Sequence, residues 1–367
     1  MIRGRKKKRS LLLRYVSRLI RRLGRRLFLK RLSEGDVKKV STTHDPGGLP
    51  EVVDTSDSLG FPVMKSHSGF RLDKVQFDFP KVLSIENGLY ALGRNLVLTE
   101  THRIVPSGVT SANNRMGTPW ELSKRPKRRM LSDGIVFRGN SLGYAHTLIE
   151  DIPRMVSAAL WPERPSASRL LVPGSFRAPE EFFYQFMSDG FAHDVVDDDG
   201  ILEAPYLHVP AVISKPRTLP TWFHEWVSRN ILNSISTGAG RRLYISRNDA
   251  KRRRIINETE VFAELKCHGF EMIKCSELTF REQVETFASA EVVVGAHGAG
   301  HANTMFSRNH VLVECFPTPR IQPAFYLLGA NLGVRYRYVA GSENSRHSDF
   351  RVDVDEILHA LEGEDVL

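Results

Sequence analysis

The stretch EVVVGAHGAGHANTMF, Glu291 to Phe306, decides the fold. Val292, Val293 and Val294 form a short unbroken apolar run, the pattern of a strand covered on both faces in a parallel sheet. Gly295, Gly298 and Gly300 then allow a sharp turn and a close approach of ligand to main chain, and the residues after them predict a helix whose free N–H groups face that ligand. An anion fits such a cradle, and a diphosphate fits it well. Glycine turns of this kind also arise in αβ proteins for purely steric reasons, so the neighbours must decide. His297 and His301 are four apart, which invites zinc, but no glutamate lies between them and no third ligand stands nearby; no metal site is expected.

Working outward, strands and helices alternate on both sides. Residues 242–247 read as a strand, and Asn257 with Glu260 forms a capping-box signature for a helix ending near Gly269. Residues 270–275 read as a strand, and Thr279 with Glu282 caps the next helix. Beyond the glycine turn come a strand at 311–316, a helix near 324–332 and a strand at 334–339. This spacing implies a doubly wound parallel sheet with its ligand at the carboxyl ends of the strands.

The upstream half is less regular. Residues 134–139 predict a strand leading into NSLGYAHTLIEDIPRMVSAAL, where His146 and Glu150 share a helical face and Asp151 adjoins them. A histidine beside two carboxylates suits proton abstraction, because a carboxylate orients the imidazole and raises its basicity. A single histidine on a half-apolar helix is also a common structural feature, so both readings stand at this point. Further βα alternation is expected from strands at 170–173 and 206–213 and a helix at 179–187, with short strands between 75 and 105. Residues 113–129 read as an exposed basic loop, Asp197, Asp198 and Asp199 as a solvated turn, and 215–220 as a junction between domains.

These residues resemble glycosyltransferase family sixty-one. The resemblance rests on YISR at 244–247, RRRIINETEV at 252–261, GFE at 269–271, LTFREQVETFASAEVVVGAHGAGHAN at 278–303 and VLVECFP at 311–317, with the upstream His146-Thr-Leu-Ile-Glu150 and Ile152-Pro153-Arg154. It implies an α/β fold of GT-B type, two Rossmann-like lobes with a cleft between them, and an inverting transfer from a nucleotide-diphosphate sugar, a UDP-sugar by expectation, with no obligatory cofactor. His146, Glu150 and Asp151 are the candidate bases. Arg247, Arg253, Arg254, His297, Gly298, Ala299 and Gly300 are candidates for holding the diphosphate, Glu314 for the ribose hydroxyls, and Asn303 for capping the turn or touching the sugar. Two positions depart from the family's pattern: His301 stands where leucine is usual, and Thr147 where tryptophan is usual.

With 367 residues the chain has room for two ordinary domains. The organisation expected is a basic amphipathic tail (1–32), a linker (33–60), an acceptor-side lobe (61–218) and a nucleotide-sugar lobe (219–367). The net charge of +10 belongs to the tail: residues 1–31 hold 14 of the 52 Lys and Arg and no acid, leaving 38 bases against 42 acids elsewhere, net −4. Leu12, Tyr15, Val16, Leu19, Leu23 and Leu27 recur at helical spacing among arginines, a pattern suited to an anionic membrane surface, although a solvated tail or a transit peptide shares its composition. Cys267, Cys275 and Cys315 suit buried thiols in a reducing compartment, and no apolar run reaches the ~20 residues of a membrane span. The expectation is a cytoplasmic or peripheral enzyme of cell-surface polysaccharide synthesis acting on a glycan or lipid-linked acceptor. The alternative is a non-catalytic nucleotide or sugar binder of the same fold; nucleic acid is not an expected partner.

Overall fold

The structure, a computed structural model, describes residues 41–44, 51–54, 74–77, 82–92, 96–100, 128–139, 143–187, 191–196, 200–210, 219–235, 238, 240–308, 310–318, 321–329, 332–343 and 347–367. The basic tail, most of the linker at 33–60, most of the loop at 113–129, Asp197 to Asp199 and junction residues 215–218 lie outside them. No helix among the described residues is long and apolar enough to cross a membrane.

The first half is built on a mixed sheet. Its strands are β1 (Ser41–His44), β4 (Val82–Ala91), β5 (Leu96–Leu98), β6 (Arg128–Met130), β7 (Gly134–Ile135), β8 (Arg169–Pro173), β9 (His193–Val196) and β10 (Ile201–Pro210), in the spatial order β1-β4-β10-β7-β8-β9 with β5 on β4 and β6 on β10. A separate antiparallel pair is formed by β2 (Glu51–Asp54) and β3 (Lys74–Phe77). β10, β7, β8 and β9 run parallel, as the βα alternation predicts. β4 pairs antiparallel to β10 from Ala91 opposite Ile201 to Val82 opposite Pro210, so the sheet as a whole is mixed. Between β7 and β8 the chain forms one helical run: α1 (Tyr144–His146), a π turn at Thr147–Asp151, and α2 (Ile152–Ala159). Helix α3 (Ala178–Tyr184) completes this half, and α4 (Thr221–Asn230) lies in the chain between the two sheets.

The second half is the doubly wound sheet that its apolar runs predict. In chain order it comprises β11 (Arg241–Ile245), α5 (Glu258–Cys267), β12 (Phe270–Ile273), α6 (Phe280–Ala288), β13 (Ala290–Ala296), a 3-10 helix (Ala299–Phe306), β14 (Val311–Thr318), α7 (Ala324–Gly329), β15 (Arg335–Glu343), β16 (Phe350–Arg351) and α8 (Val354–Glu362). The strand order is β12-β11-β13-β14-β15-β16, parallel throughout except for the antiparallel edge strand β16. The order reverses between β11 and β13, and the connections leaving their carboxyl ends diverge there to form the crevice where such sheets bind ligands. Thr279 and Glu282 form the expected capping box. Asn257 does not cap its helix: its side-chain amide pairs with both the N–H and the C=O of Val352, joining α5 to the segment before α8.

Side chains alternate across each strand as a pleat requires. Leu243, Ile245 and Val293 enter one core, while Tyr244, Val292 and Val294 enter the core on the opposite face. The first of these cores is shared by both halves. Phe182 and Phe183 of α3 meet Phe280 of α6, the former at 5.2 Å between centroids, and Phe183 reaches Phe306. Each buried phenylalanine contributes about 1.5–3 kcal/mol, so this aromatic seam fixes the two sheets against one another.

Candidate active site

The turn after β13 is extended rather than tightly coiled. Gly298 has φ −173° and ψ 168°, a conformation open to any residue, and neither Gly295 nor Gly300 takes a positive φ. The glycine at 298 leaves room for Arg247: a Cβ there would lie 1.8 Å from a guanidinium nitrogen, so any other residue would push the arginine end off this position. The following helix is 3-10 rather than α, and its first N–H groups, at Ala299 and Gly300, have no carbonyl one turn earlier to bond.

Arg247 arrives from the loop that follows β11. Glu258, buried at the start of α5, accepts hydrogen bonds from Tyr244 Oη (3.3 Å), Ser246 Oγ (3.0 Å) and the Asn248 side-chain amide, and so anchors residues on both sides of the arginine. Arg247 itself donates to the Arg252 carbonyl at 3.3 Å, forms no ion pair with a described carboxylate, and leaves a buried Nε without a partner. Burial, and secondarily the charge of Arg253, lowers its pKa. A half-buried guanidinium in this state attracts an anion. Arg253 sits beside it, half-buried, with a left-handed φ of 59° and its N–H on the His347 carbonyl. Arg254, unlike Arg247, is paired with a carboxylate: its Nε and terminal nitrogen bond Asp349 at 3.1 and 2.7 Å.

His297 stands behind Gly298. Its Nδ1 lies 2.5 Å from Glu314 Oε1, and Tyr336 Oη donates to Glu314 Oε2 at 2.7 Å. Glu314 is fully buried with both oxygens engaged, so it supports His297 and does not reach ribose hydroxyls as the sequence suggested. The imidazole stacks on Phe316 and packs against Phe325. His301, at the position of the usual leucine, is a core residue: its Nε2 lies 3.2 Å from the Gly295 carbonyl, and burial lowers its pKa to about 4. Asn303 is likewise buried and contacts no open space. Gln283 donates to the carbonyls of Cys275 and Leu278, which turns its Oε1 toward Asn303 Nδ2 (2.8 Å) and leaves Asn303 Oδ1 to accept from Tyr144 Oη at 2.6 Å. Asn303 therefore ties the helical run at 144–159 to the turn at 297–300 instead of touching a sugar.

Across from this turn, the π turn separates the three upstream candidates. His146 Nδ1 lies 2.6 Å from Glu150 Oε1, and both side chains are partly open. With Ala145 and Ile149 they line a small cleft whose other wall is Ala324 and Phe325, the same Phe325 that packs on His297. Asp151 faces the opposite way. Its Oδ1 accepts from the Gly139 N–H (2.7 Å) and its Oδ2 from Arg177 (2.9 Å), while the same Arg177 nitrogen bonds Thr147 Oγ1 at 2.6 Å. Burial raises the Asp151 pKa to about 6, but with both oxygens bonded away from the cleft it is an anchor, not a base. Thr147, where tryptophan is usual, gives Arg177 the hydroxyl that closes this clamp.

The supporting residues Glu258, Tyr336, Gln283, Tyr144, Arg177 and Phe325 were not picked out by sequence reasoning. Glu258 and Tyr336 carry no spacing signal, since each acts through the fold on a residue far from it in the chain.

No curated protein matches the chain. The family model described as Glycosyltransferase 61 matches residues 144–313, a span that opens on Tyr144 and includes the π turn, Arg247 and the glycine turn. Over that segment, which is under half of the chain, the sequence is similar to the glycosyltransferase 61 family.

Proposed function

We propose that the protein is an inverting glycosyltransferase of GT-B architecture, with an acceptor-side lobe at 61–218 and a donor lobe at 219–367, moving a sugar from a nucleotide diphosphate, a UDP-sugar, to a glycan or lipid-linked acceptor in cell-surface polysaccharide synthesis. The observation that carries this reading is the guanidinium of Arg247, without a carboxylate partner among the described residues, lying on Gly298 next to His297, whose ring packs on the Phe325 that lines the cleft of His146 and Glu150. An anion site thus neighbours a carboxylate-oriented imidazole.

In this reading the diphosphate lies against Arg247, with Arg253, His297 and the N–H groups of Ala299 and Gly300 as further donors. Glu150 orients His146, which accepts the proton of the acceptor hydroxyl. The acceptor oxygen forms its bond to the anomeric carbon from the face opposite the leaving group as the bond to the phosphate oxygen breaks, and the diphosphate departs with the electron pair. Positive charge and N–H donors already in place stabilise that developing anion. The basic tail at 1–32 would hold the enzyme at an anionic membrane surface, where a lipid-linked acceptor is presented.

The test is a thermal-shift panel of nucleotide sugars with and without a divalent cation. A true donor at ~100 times its Kd adds about 2.7 kcal/mol of stability and raises the melting temperature by several degrees. A panel in which no nucleotide sugar moves the transition contradicts the proposal.

A further inference from the structure

The helical run that carries His146 is anchored to both halves, one on each side of its π turn. After the turn, Arg154 of α2 donates from Nε to the Pro210 carbonyl at 2.8 Å and from Nη2 to the Val136 carbonyl at 3.2 Å, and Asp151 is clamped to the Gly139 N–H and Arg177. α2 is thus fixed to the first half. His146 stands before the turn, at the end of α1, a segment of three residues. So short a helix has few backbone bonds of its own. The π turn also shifts the hydrogen-bond ladder from four residues to five, so the direction of α1 does not simply follow that of α2. A contact from outside the run has to set it.

That contact is the Tyr144 side chain, and its partners belong to the second half. The hydroxyl donates to Asn303 Oδ1 at 2.6 Å, with Gln283 Oε1 also within reach at 2.9 Å. Both acceptors are held from behind. Gln283 Nε2 donates to the carbonyls of Cys275 and Leu278, between β12 and α6, at 3.0 and 3.2 Å, and Asn303 Nδ2 donates to Gln283 Oε1 at 2.8 Å. The tyrosine ring meets Phe280 of α6 edge-on at 6.3 Å between centroids, which fixes its plane. Burial pushes the phenol pKa up, so the hydroxyl keeps its proton and remains a donor. Asn303 itself lies on the 3-10 helix that opens at Ala299, the element whose first N–H groups belong to the glycine turn.

We infer that Tyr144 is a positioning residue that sets the His146 imidazole against the donor turn, acting through Asn303 and Gln283. This rests on the donor reading above and adds to it the part that aligns the two reacting groups. An acceptor oxygen must approach the anomeric carbon along a line fixed by the departing diphosphate, and the base must lie within hydrogen-bond reach of that oxygen at the same moment. The diphosphate site is built from the second half, whereas the base is carried by a helical run anchored to the first. Tyr144 precedes His146 by two residues and bonds the element that carries Ala299 and Gly300, so it references the base to the donor and not to the first sheet. Without the hydroxyl, α1 follows α2, and the imidazole leaves that line.

The test is Tyr144→Phe in the full chain, read by UDP release from a UDP-sugar with water or an added glycan as acceptor, by calorimetric titration of UDP, and by amide hydrogen exchange. The expected result is a kcat lowered roughly 10–100-fold, the scale of a displacement of about 1 Å, with the Kd for UDP changed by less than about twofold. Amides at 144–148 should exchange faster while those at 152–159 keep their protection. Asn303→Ala should reproduce the loss of kcat, and the double variant should lose no more than the larger single one, since the two side chains form one joint. Tyr184→Phe removes a hydroxyl that donates to the Phe191 carbonyl away from α1, and should leave kcat within about twofold of wild type. A wild-type kcat in Tyr144→Phe, a parallel loss of UDP affinity, or an equal loss in Tyr184→Phe overturns this inference and leaves the donor site standing. A wild-type protein that neither binds UDP nor releases it from any UDP-sugar overturns both.

Discussion

The π turn at 147–151 and the glycine turn at 297–300 both adjoin Phe325 and are held in opposite ways. In the π turn every buried charge is bonded: Asp151 to Arg177 and the Gly139 N–H, and Arg177 also to Thr147. The groups left to face the cleft are His146 and Glu150, which are bonded to each other. Beside the glycine turn the carboxylate Glu314 is sealed behind His297, while the cation Arg247 has no carboxylate partner among the described residues and a buried Nε with none. One turn therefore presents a proton acceptor and the other an anion receptor. The arrangement assigns chemistry by exposure and pairing, not by residue type, since each turn also contains a charged or titratable residue that does only structural work.

Removing the acceptor from the first turn should have the largest effect. His146→Ala and Glu150→Gln should each lower the rate of sugar transfer by about 10²–10⁴, the range for losing a general base, with donor Kd essentially unchanged. Equal loss of affinity and rate would mean that these residues hold the donor and would erase the distinction between the turns. Asp151→Ala probes the other side of the same π turn. It removes the buried carboxylate that Arg177 and the Gly139 N–H bond and should cost about 2 kcal/mol, seen as a melting temperature lowered by several degrees, whereas Glu150→Ala should leave melting nearly unchanged.

A smaller effect follows from histidines buried without charge compensation. Burial lowers the pKa of His224 and His301 to about 4 and that of His310 to about 3, while the unfolded chain takes up protons near pH 6.5. Because the folded state resists those protons, stability is present above pH 6.5 and is lost as pH falls toward 4. Asp151 acts in the opposite direction, since its raised value of about 6 makes the folded state take its proton first. Three groups against one leave a net loss of stability in acid of up to about 1.4 kcal/mol per pH unit for each uncompensated proton. Denaturant midpoints at pH 7, 6 and 5 should fall in that order, and His310→Leu should flatten the trend.

The second half was legible in the sequence because its strands are buried on both faces and read as unbroken apolar runs, while Thr279 and Glu282 marked a helix start. The crevice between β11 and β13 followed from that order. The first half was less legible: β7 is only two residues long, and the antiparallel pairing of β4 with β10 joins segments over a hundred residues apart. Within the site, the i,i+4 spacing of His146 and Glu150 was a sound guide to their contact. The same reasoning grouped Asp151 with them, because nothing in the spacing announces a π turn that sends consecutive carboxylates to opposite sides. Glu314 and Asn303 were read as ligand contacts from their place at a strand end and in the turn, yet both are fully buried. Exposure depends on what the rest of the chain packs over a position, and no local pattern encodes it.

The two arginines of this half, Arg247 and Arg254, offer the most direct measurement. They are seven residues apart and both were candidates for the diphosphate, but Arg254 is paired with Asp349 and Arg247 with no described acid. Titration of UDP into Arg247→Ala and Arg254→Ala should show affinity falling roughly 10–100-fold in the first and less than about twofold in the second. Equal affinities in the two variants, or a larger loss in Arg254→Ala, would contradict the placement of the anion on Gly298.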